Sequence, residues 1–316
     1  MSSEHDIRTA VIECNNLTKV YRTTWSGRSK GICALQDISL RIRVAQIVGL
    51  IGPNGAGKTT LLNLMAGLIF PTKGHVAICG HFARSMEARQ SLGYMPESPA
   101  FLGTYSARAV LKYHGALLGL SRHEINQETD KLIGQLELQE FADRPCSGFS
   151  QGMKQRLSLA IALMNNPKVL LLDEPSNGLD PIGIIKLRDL LKQLRDSGTT
   201  IVISSHRLGE LEKLTSNFIF LYRGQVVSFD DRLVSDQSGH LRIEVISGGN
   251  DITKQLQSKY SFLAVSDTKL TINVTGEEHV PNLVCDLVNS GARITSVVLE
   301  RENIENVFMR LYNERV

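Results

Sequence analysis

Between positions 52 and 60 the chain reads Gly52-Pro53-Asn54-Gly55-Ala56-Gly57-Lys58-Thr59-Thr60. Gly52 through Thr59 fits the spacing G-x-x-x-x-G-K-[ST], and each residue type has a chemical reason. Glycines let the backbone coil tightly, so the amide N–H groups from Asn54 to Thr60 can converge on one phosphate chain. Lys58 supplies a point charge that reaches the β- and γ-phosphates, and the Thr59 hydroxyl is a ligand for Mg²⁺. A second group of chemical residues stands at Val169-Leu170-Leu171-Leu172-Asp173-Glu174-Pro175. Its aliphatic run ends in paired carboxylates, which places two acids at the C-terminal edge of a buried strand, where open α/β sheets bind ligands. Asp173 is placed to hold Mg²⁺ through its water shell, and Glu174 to orient and polarise an attacking water.

These residues need elements to position them. Gln46–Ile51 is a short, mostly apolar run suited to a buried strand, and Thr60–Ala66 begins a helix. Strand, glycine loop and helix N-terminus together set an anion at the positive end of a helix dipole. Lys168–Leu172 and Thr200–Ser204 are further buried-strand runs of a parallel sheet. Between them Leu187, Leu190, Leu191 and Leu194 make a helical stripe that Gly198 ends. Residues 98–166 are predicted mostly helical, with Leu111, Leu117, Leu118, Leu132, Ile133, Leu136 and Leu138 at helical spacing, as a subdomain inserted into an α/β core. The polar stretch from Arg22 to Gly31 has the composition of an exposed loop. The expected organisation is a polar tail over 1–10, a phosphate-binding domain over 11–229, a linker over 230–240 and a second domain over 241–316. In the last, strand and helix signals follow the order β-α-β-β-α-β with a final helix, the order of a ferredoxin-like domain.

The chain has 316 residues, 42% hydrophobic and 21% charged, with a net charge of +3. That suits a globular protein of about two domains and offers no basic field for nucleic acid. Cys14, Cys33, Cys79, Cys146 and Cys285 include no C-x-x-C pair, which argues against a disulfide or metal framework and fits a reducing compartment. Met1 to Thr9 is polar, unlike a secretory signal, and no apolar run approaches the length of a membrane span. No N-K-x-D motif is present, so a guanine-selective GTPase is not expected.

With these motifs in this order, the chain from about 11 to 228 resembles the nucleotide-binding subunit of an ATP-binding-cassette (ABC) transporter. Phe149-Ser150-Gln151-Gly152-Met153-Lys154-Gln155-Arg156 is similar to the family's signature, whose commonest form is Leu-Ser-Gly-Gly-Gln. Ser150 and Gly152 match, while Phe149, Gln151 and Met153 depart. The resemblance implies that Ser150 and Gly152 contact the ATP of an opposite subunit, and that Tyr21 stacks on adenine. It implies that the loop Ser176-Asn177-Gly178-Leu179-Asp180 crosses a dimer interface. It also implies that His206 meets the γ-phosphate and holds Glu174 with its water. Glu97, in Gly93-Tyr94-Met95-Pro96-Glu97, stands where the family usually has a Mg²⁺-binding Gln; a carboxylate can take the same role.

The resemblance implies a P-loop NTPase cassette: a mixed-sheet core, an inserted helical subdomain and here a small C-terminal α+β domain. Its implied cofactors are ATP and Mg²⁺. Its implied partners are a second copy of the chain, in an ATP-sandwich dimer, and integral membrane permease subunits, with no nucleic acid. Its implied place is peripheral, on the cytoplasmic face of the membrane. Glu97 and the Ser-Gln-Gly-Met signature resemble the branch serving ABC-2-type export permeases. An importer ATPase with a sensing C-terminal domain and a non-transport cassette ATPase are the alternatives. Phe101 and Leu102 either make an apolar contact with the membrane partner or pack internally.

Overall fold

The structure is a computed structural model that describes residues 10–25, 28–101, 103–230, 238–246, 256, 259–260, 262–266, 268–275, 279–301 and 304–313. The chain divides into two compact units, Met1–Asp231 and Arg232–Val316.

The first unit opens with a hairpin of two long strands, β1 (Ala10–Trp25) and β2 (Arg28–Arg43). Then come β3 (Ile47–Ile51), α1 (Lys58–Met65), β4 (Lys73–Ile78), β5 (His81–Phe82), α2 (Met86–Gln90) and β6 (Leu92–Met95). A helical block follows: α3 (Ala107–Leu117), α4 (Arg122–Gln135) and α5 (Gln151–Leu163). The unit closes with β7 (Val169–Asp173), α6 (Pro181–Asp196), β8 (Thr200–Ser204), α7 (Leu208–Glu212), β9 (Asn217–Tyr222) and β10 (Gln225–Asp230).

All five residues of β3, of β7 and of β8 are buried. Runs such as Ile-Val-Gly-Leu-Ile have no polar face, so they are stable only where both sides of a sheet are covered. The sheet runs β10-β9-β3-β8-β7-β6, parallel from β9 to β6, with β10 antiparallel at the edge. A second, antiparallel sheet runs β2-β1-β4-β5. One apolar core joins Ile12, Leu17 and Ile42 of this sheet to Leu50, Leu171 and Val202 of the parallel one, with Leu61, Leu62 and Met65 of α1 among them.

Parallel strands share one direction, so the C-terminal ends of β3, β6, β7 and β8 lie along a single edge. The glycine loop leaves β3 there, Glu97 lies two residues beyond β6, Asp173 ends β7 and His206 lies two residues beyond β8. Strand order therefore gathers residues that are scattered over more than a hundred positions of sequence.

One expectation for this unit is corrected. The stretch from Arg22 to Gly31 is not an open loop: Arg22 pairs with Gly31, Thr23 with Lys30, Thr24 with Ser29 and Trp25 with Arg28. Polar composition hid a hairpin arm, since ladder hydrogen bonds need only backbone. Leu111 and Leu117 both lie in α3, as their spacing predicts, with Leu111 fully buried and Leu117 exposed at 65%. Six helical positions turn the side chain by about 240°, away from the core-facing stripe.

In the second unit the strands β11 (Ser238–Val245), β12 (Phe262–Val265), β13 (Lys269–Thr275) and β14 (Ile294–Arg301) form an antiparallel sheet in the order β12-β13-β11-β14. Helices α8 (Val280–Asn289) and α9 (Ile304–Asn313) flank β14 in sequence. That strand order is the one a split β-α-β unit produces. Leu283 and Leu287 of α8 pack on Ile243, Val245, Leu270 and Ile272. Tyr260 donates a 2.5 Å hydrogen bond to Asp286 of α8, which also pairs with Lys259. These donors hold the Asp286 carboxyl below its usual range. β11 begins at Ser238, inside the stretch expected as linker, because Ser238–His240 pair with Asn273–Thr275. The first helix of the expected β-α-β-β-α-β order, read from the sequence at Ile252–Tyr260, lies mostly outside the described residues; Leu256 within it is helical.

Candidate nucleotide site

The loop after β3 is built on glycines that no other residue replaces. At Gly57 φ is 108°, and an added Cβ would sit 2.6 Å from the Leu35 side chain and 2.7 Å from the Ala34 carbonyl. At Gly52 it would meet the Leu221 carbonyl at 2.3 Å. The loop is thus wedged between β2 and β9, which pins the path its amides follow. Helix α1 starts at Lys58 with Gly57 as N-cap and no side-chain cap, so its first N–H groups have no intrachain acceptor from a capping side chain. That leaves an N-terminus suited to an anion. The Lys58 ammonium donates to the Gly52 carbonyl at 2.7 Å and to that of Pro53 at 3.3 Å.

Asn54, Gly55, Gly57, Lys58, Thr59, Thr60, Glu97, Asp173, Glu174 and Ala34 line one cleft of about 270 Å³. The structure thereby brings together the two motifs and Glu97. The carboxylates differ sharply in environment. Glu97 is exposed, whereas Asp173 is 1% exposed. The Ser204 hydroxyl donates to Asp173 Oδ1 at 2.5 Å. Asp173 Oδ2 is buried without a hydrogen-bond partner. A buried carboxylate oxygen with no donor is costly unless a cation or water meets it, which is the condition a Mg²⁺ site relieves.

Glu174 has φ of 50°, in the left-handed region. A non-glycine residue there costs roughly 1–3 kcal/mol and persists only when its surroundings hold it. Its N–H donates to Ser204 Oγ at 3.0 Å and lies 3.2 Å from the Ser204 carbonyl. Its carbonyl accepts from Gln155 Nε2 at 3.1 Å. Its carboxylate Oε2 lies 2.8 Å from His206 Nδ1. An ionised carboxylate only accepts, so the proton of that bond resides on Nδ1. The Glu174 side chain is 9% exposed and that of His206 56%.

Tyr94 of β6 donates to Asn63 Oδ1 of α1 at 2.9 Å. Burial, with the charges of Asp173 and Glu97 nearby, pushes its hydroxyl up to about 12, so it stays a neutral donor.

The other expected residues lie outside this cleft. Tyr21 is 39% exposed on β1, with the Lys19 ammonium 4.9 Å from its ring centroid. Ser150 caps α5, its hydroxyl accepting from the Met153 N–H at 3.2 Å. Asp180 caps α6, accepting from the Gly183 N–H at 2.9 Å. Gly152 and Gly178 adjoin: a Cβ on Gly152 would stand 3.0 Å from the Gly178 carbonyl. The signature segment and the loop before α6 thus form a separate surface. Phe101 is half-buried, and Leu102 lies outside the described residues.

Ser204 and Asn63 carry part of this site without a motif to mark them, and Gln155 does so from within the signature segment. Ser204 joins both acids, so Ser204→Ala strips Asp173 of its donor. The expected result is a loss of about 1–3 kcal/mol of stability in urea unfolding of the full chain. A curve superimposable on that of the parent chain would contradict the network.

A glycine loop and lysine at the end of a parallel strand, facing acids at the ends of its neighbours, define a P-loop nucleoside triphosphatase. The family described as ABC transporter matches residues 35–177. Over 314 residues the chain is 32% identical to the uncharacterized ABC transporter ATP-binding protein YhcH of Bacillus subtilis (strain 168), covering 96% of each chain. It is 39% identical over 193 residues to the lantibiotic transport ATP-binding protein SrtF of Streptococcus pyogenes, covering 61% of this chain and 82% of that one. Among solved structures, the ATP-binding cassette MJ0796, dimeric in a post-hydrolysis state with ADP and Pi, superposes with a TM-score of 0.64 at 26% identity. That match covers 70% of this chain and 99% of the other. The chain belongs to the ABC transporter ATP-binding family and is an ATP-binding, ATP-hydrolysing cassette.

Proposed function

We propose that this ATPase powers a separate integral membrane permease of the ABC-2 export type, as a dimer with a second copy of itself on the cytoplasmic face of the membrane. The observation that carries the motor is the Glu174 carboxylate, bonded to His206 and lining one cleft with Lys58, Thr59 and Asp173. The export direction is supported by the likeness to SrtF, a protein named for lantibiotic transport, and by Glu97 with the Ser-Gln-Gly-Met signature. No helix among the described residues is long and apolar enough to cross a membrane.

In this mechanism Lys58 and the amides from Asn54 to Thr60 bind the phosphates, and Tyr21 stacks on adenine. Thr59, Glu97 and Asp173 would hold Mg²⁺, which supplies charge neutralisation at the phosphates. Glu174 orients a water and accepts its proton, while His206 fixes the carboxylate. His206 meets the γ-phosphate through its other ring nitrogen, Nε2. Ser150, Gly152 and Asp180, which lie outside the chain's own cleft, complete the ATP site of the second copy. The region 11–229 is the motor, with the helical block over 98–166 facing the permease, and 238–316 is a ferredoxin-like accessory domain.

The test is isolation of the tagged full chain from detergent-solubilised membranes. A polytopic protein should co-purify, and its presence should stimulate ATP hydrolysis. Recovery with soluble partners only, or with a membrane protein that leaves hydrolysis unchanged, contradicts the assignment.

A further inference from the structure

We propose that Gln155 is a positioning residue that couples helix α5 to the catalytic carboxylate of the same chain. Gln155 is 1% exposed, among the buried residues Leu157, Ser158 and Leu159 of α5. Its Nε2 donates to the Glu174 carbonyl at 3.1 Å. Its Oε1 is buried and has no hydrogen-bond partner.

For stability alone this is a poor residue. A buried amide with one end unsatisfied forfeits on the acceptor what it gains on the donor, and an apolar side chain of similar volume does as well or better. What the amide adds is a hold on one peptide. Glu174 sits at a φ of 50°, a conformation that its own preferences do not supply. Its N–H is tied to Ser204 at the end of β8, and its carbonyl to α5 through Gln155. The direction of its carboxylate therefore depends on where α5 stands relative to the sheet.

The other end of that lever is five residues away, about 8 Å along a rigid helix. There Ser150 caps α5 and Gly152 lies in its first turn. The proposal rests on the composite-site reading above, in which these two residues meet the nucleotide of the second copy. Docking α5 on that nucleotide sets Gln155, Gln155 sets the Glu174 peptide, and the chain's own site becomes competent. Each cassette then senses the neighbouring ATP through one side-chain hydrogen bond.

Gln155→Met removes both the donor and the orphaned acceptor at similar volume. The expected result is a thermal midpoint within about 1 °C of the parent chain. The Kd for ATP measured by calorimetry should stay within about twofold, while kcat falls by about ten- to hundredfold, since misplacing a reacting group by a fraction of an ångström suffices. A kcat within twofold of the parent chain overturns the coupling, and so does a kcat loss that tracks a lowered midpoint. Gln155→Glu gives a second readout. Its ionised form has no donor and its protonated form has one, so its activity relative to the parent chain should rise as pH falls from about 8 to about 6. A flat ratio, with unchanged circular dichroism, counts against the proposal. Glu174→Gln separates the two layers: if that variant fails to dimerise with ATP the composite site is wrong, and if it dimerises while Gln155→Met is fully active only the coupling is wrong.

Discussion

Glu174→Gln should bind ATP with the affinity of the parent chain, hydrolyse it at least about a hundredfold more slowly and accumulate as an ATP-bound dimer. The amide preserves the shape of the side chain and can still accept from His206 Nδ1 through its carbonyl oxygen, at the 2.8 Å now spanned by the carboxylate. What it loses is basicity. An amide does not take a proton from the attacking water, so binding survives and chemistry does not. Backbone position should also survive, since Ser204 and Gln155 hold the peptide and not the carboxyl. Single-turnover hydrolysis and size-exclusion chromatography with ATP report the two outcomes. A variant that stays monomeric in ATP removes the basis for a shared site, and one that hydrolyses at the parent rate removes Glu174 from its role.

Lys58→Ala should lose ATP affinity by about ten- to hundredfold, the value of one or two charge-assisted hydrogen bonds to phosphate. The lysine has two attachments, to the carbonyls of Gly52 and Pro53. These hold the loop's entry strand end to its helical exit, so the variant also loosens the loop whose amides cradle phosphate. The glycines at 52 and 57 remain wedged against Leu221 and Ala34, which keeps the fold intact. Calorimetry with ATP reads the affinity, and unfolding by heat shows that stability is retained. Unchanged ATP binding would defeat the assignment of the loop.

Much of the parallel core was legible because its signal is local. Continuous aliphatic runs end in acids at Asp173 and Glu174, and the Gly-Lys-Thr exit at Gly57–Thr59 starts a helix. The arm from Arg22 to Gly31 was not legible, since its polar side chains say nothing about ladder bonds made by backbone. Helical spacing put Leu111 and Leu117 in one helix but did not show which faces the core, and Leu117 falls about 240° from Leu111.

By itself the sequence determined the phosphate loop, the paired acids and their order along the chain, because each depends on residues within one strand, one turn and one helix start. Tertiary structure alone decided who holds Glu174. His206 is 32 residues from it, Ser204 30 and Gln155 19. Ser204 belongs to no motif, and Gln155 stands in the signature segment with nothing in the sequence to mark it as a partner of Glu174. They become partners because parallel strands end on one edge and α5 packs beside it, and a side-chain hydrogen bond forms only where packing brings donor to acceptor within about 3 Å.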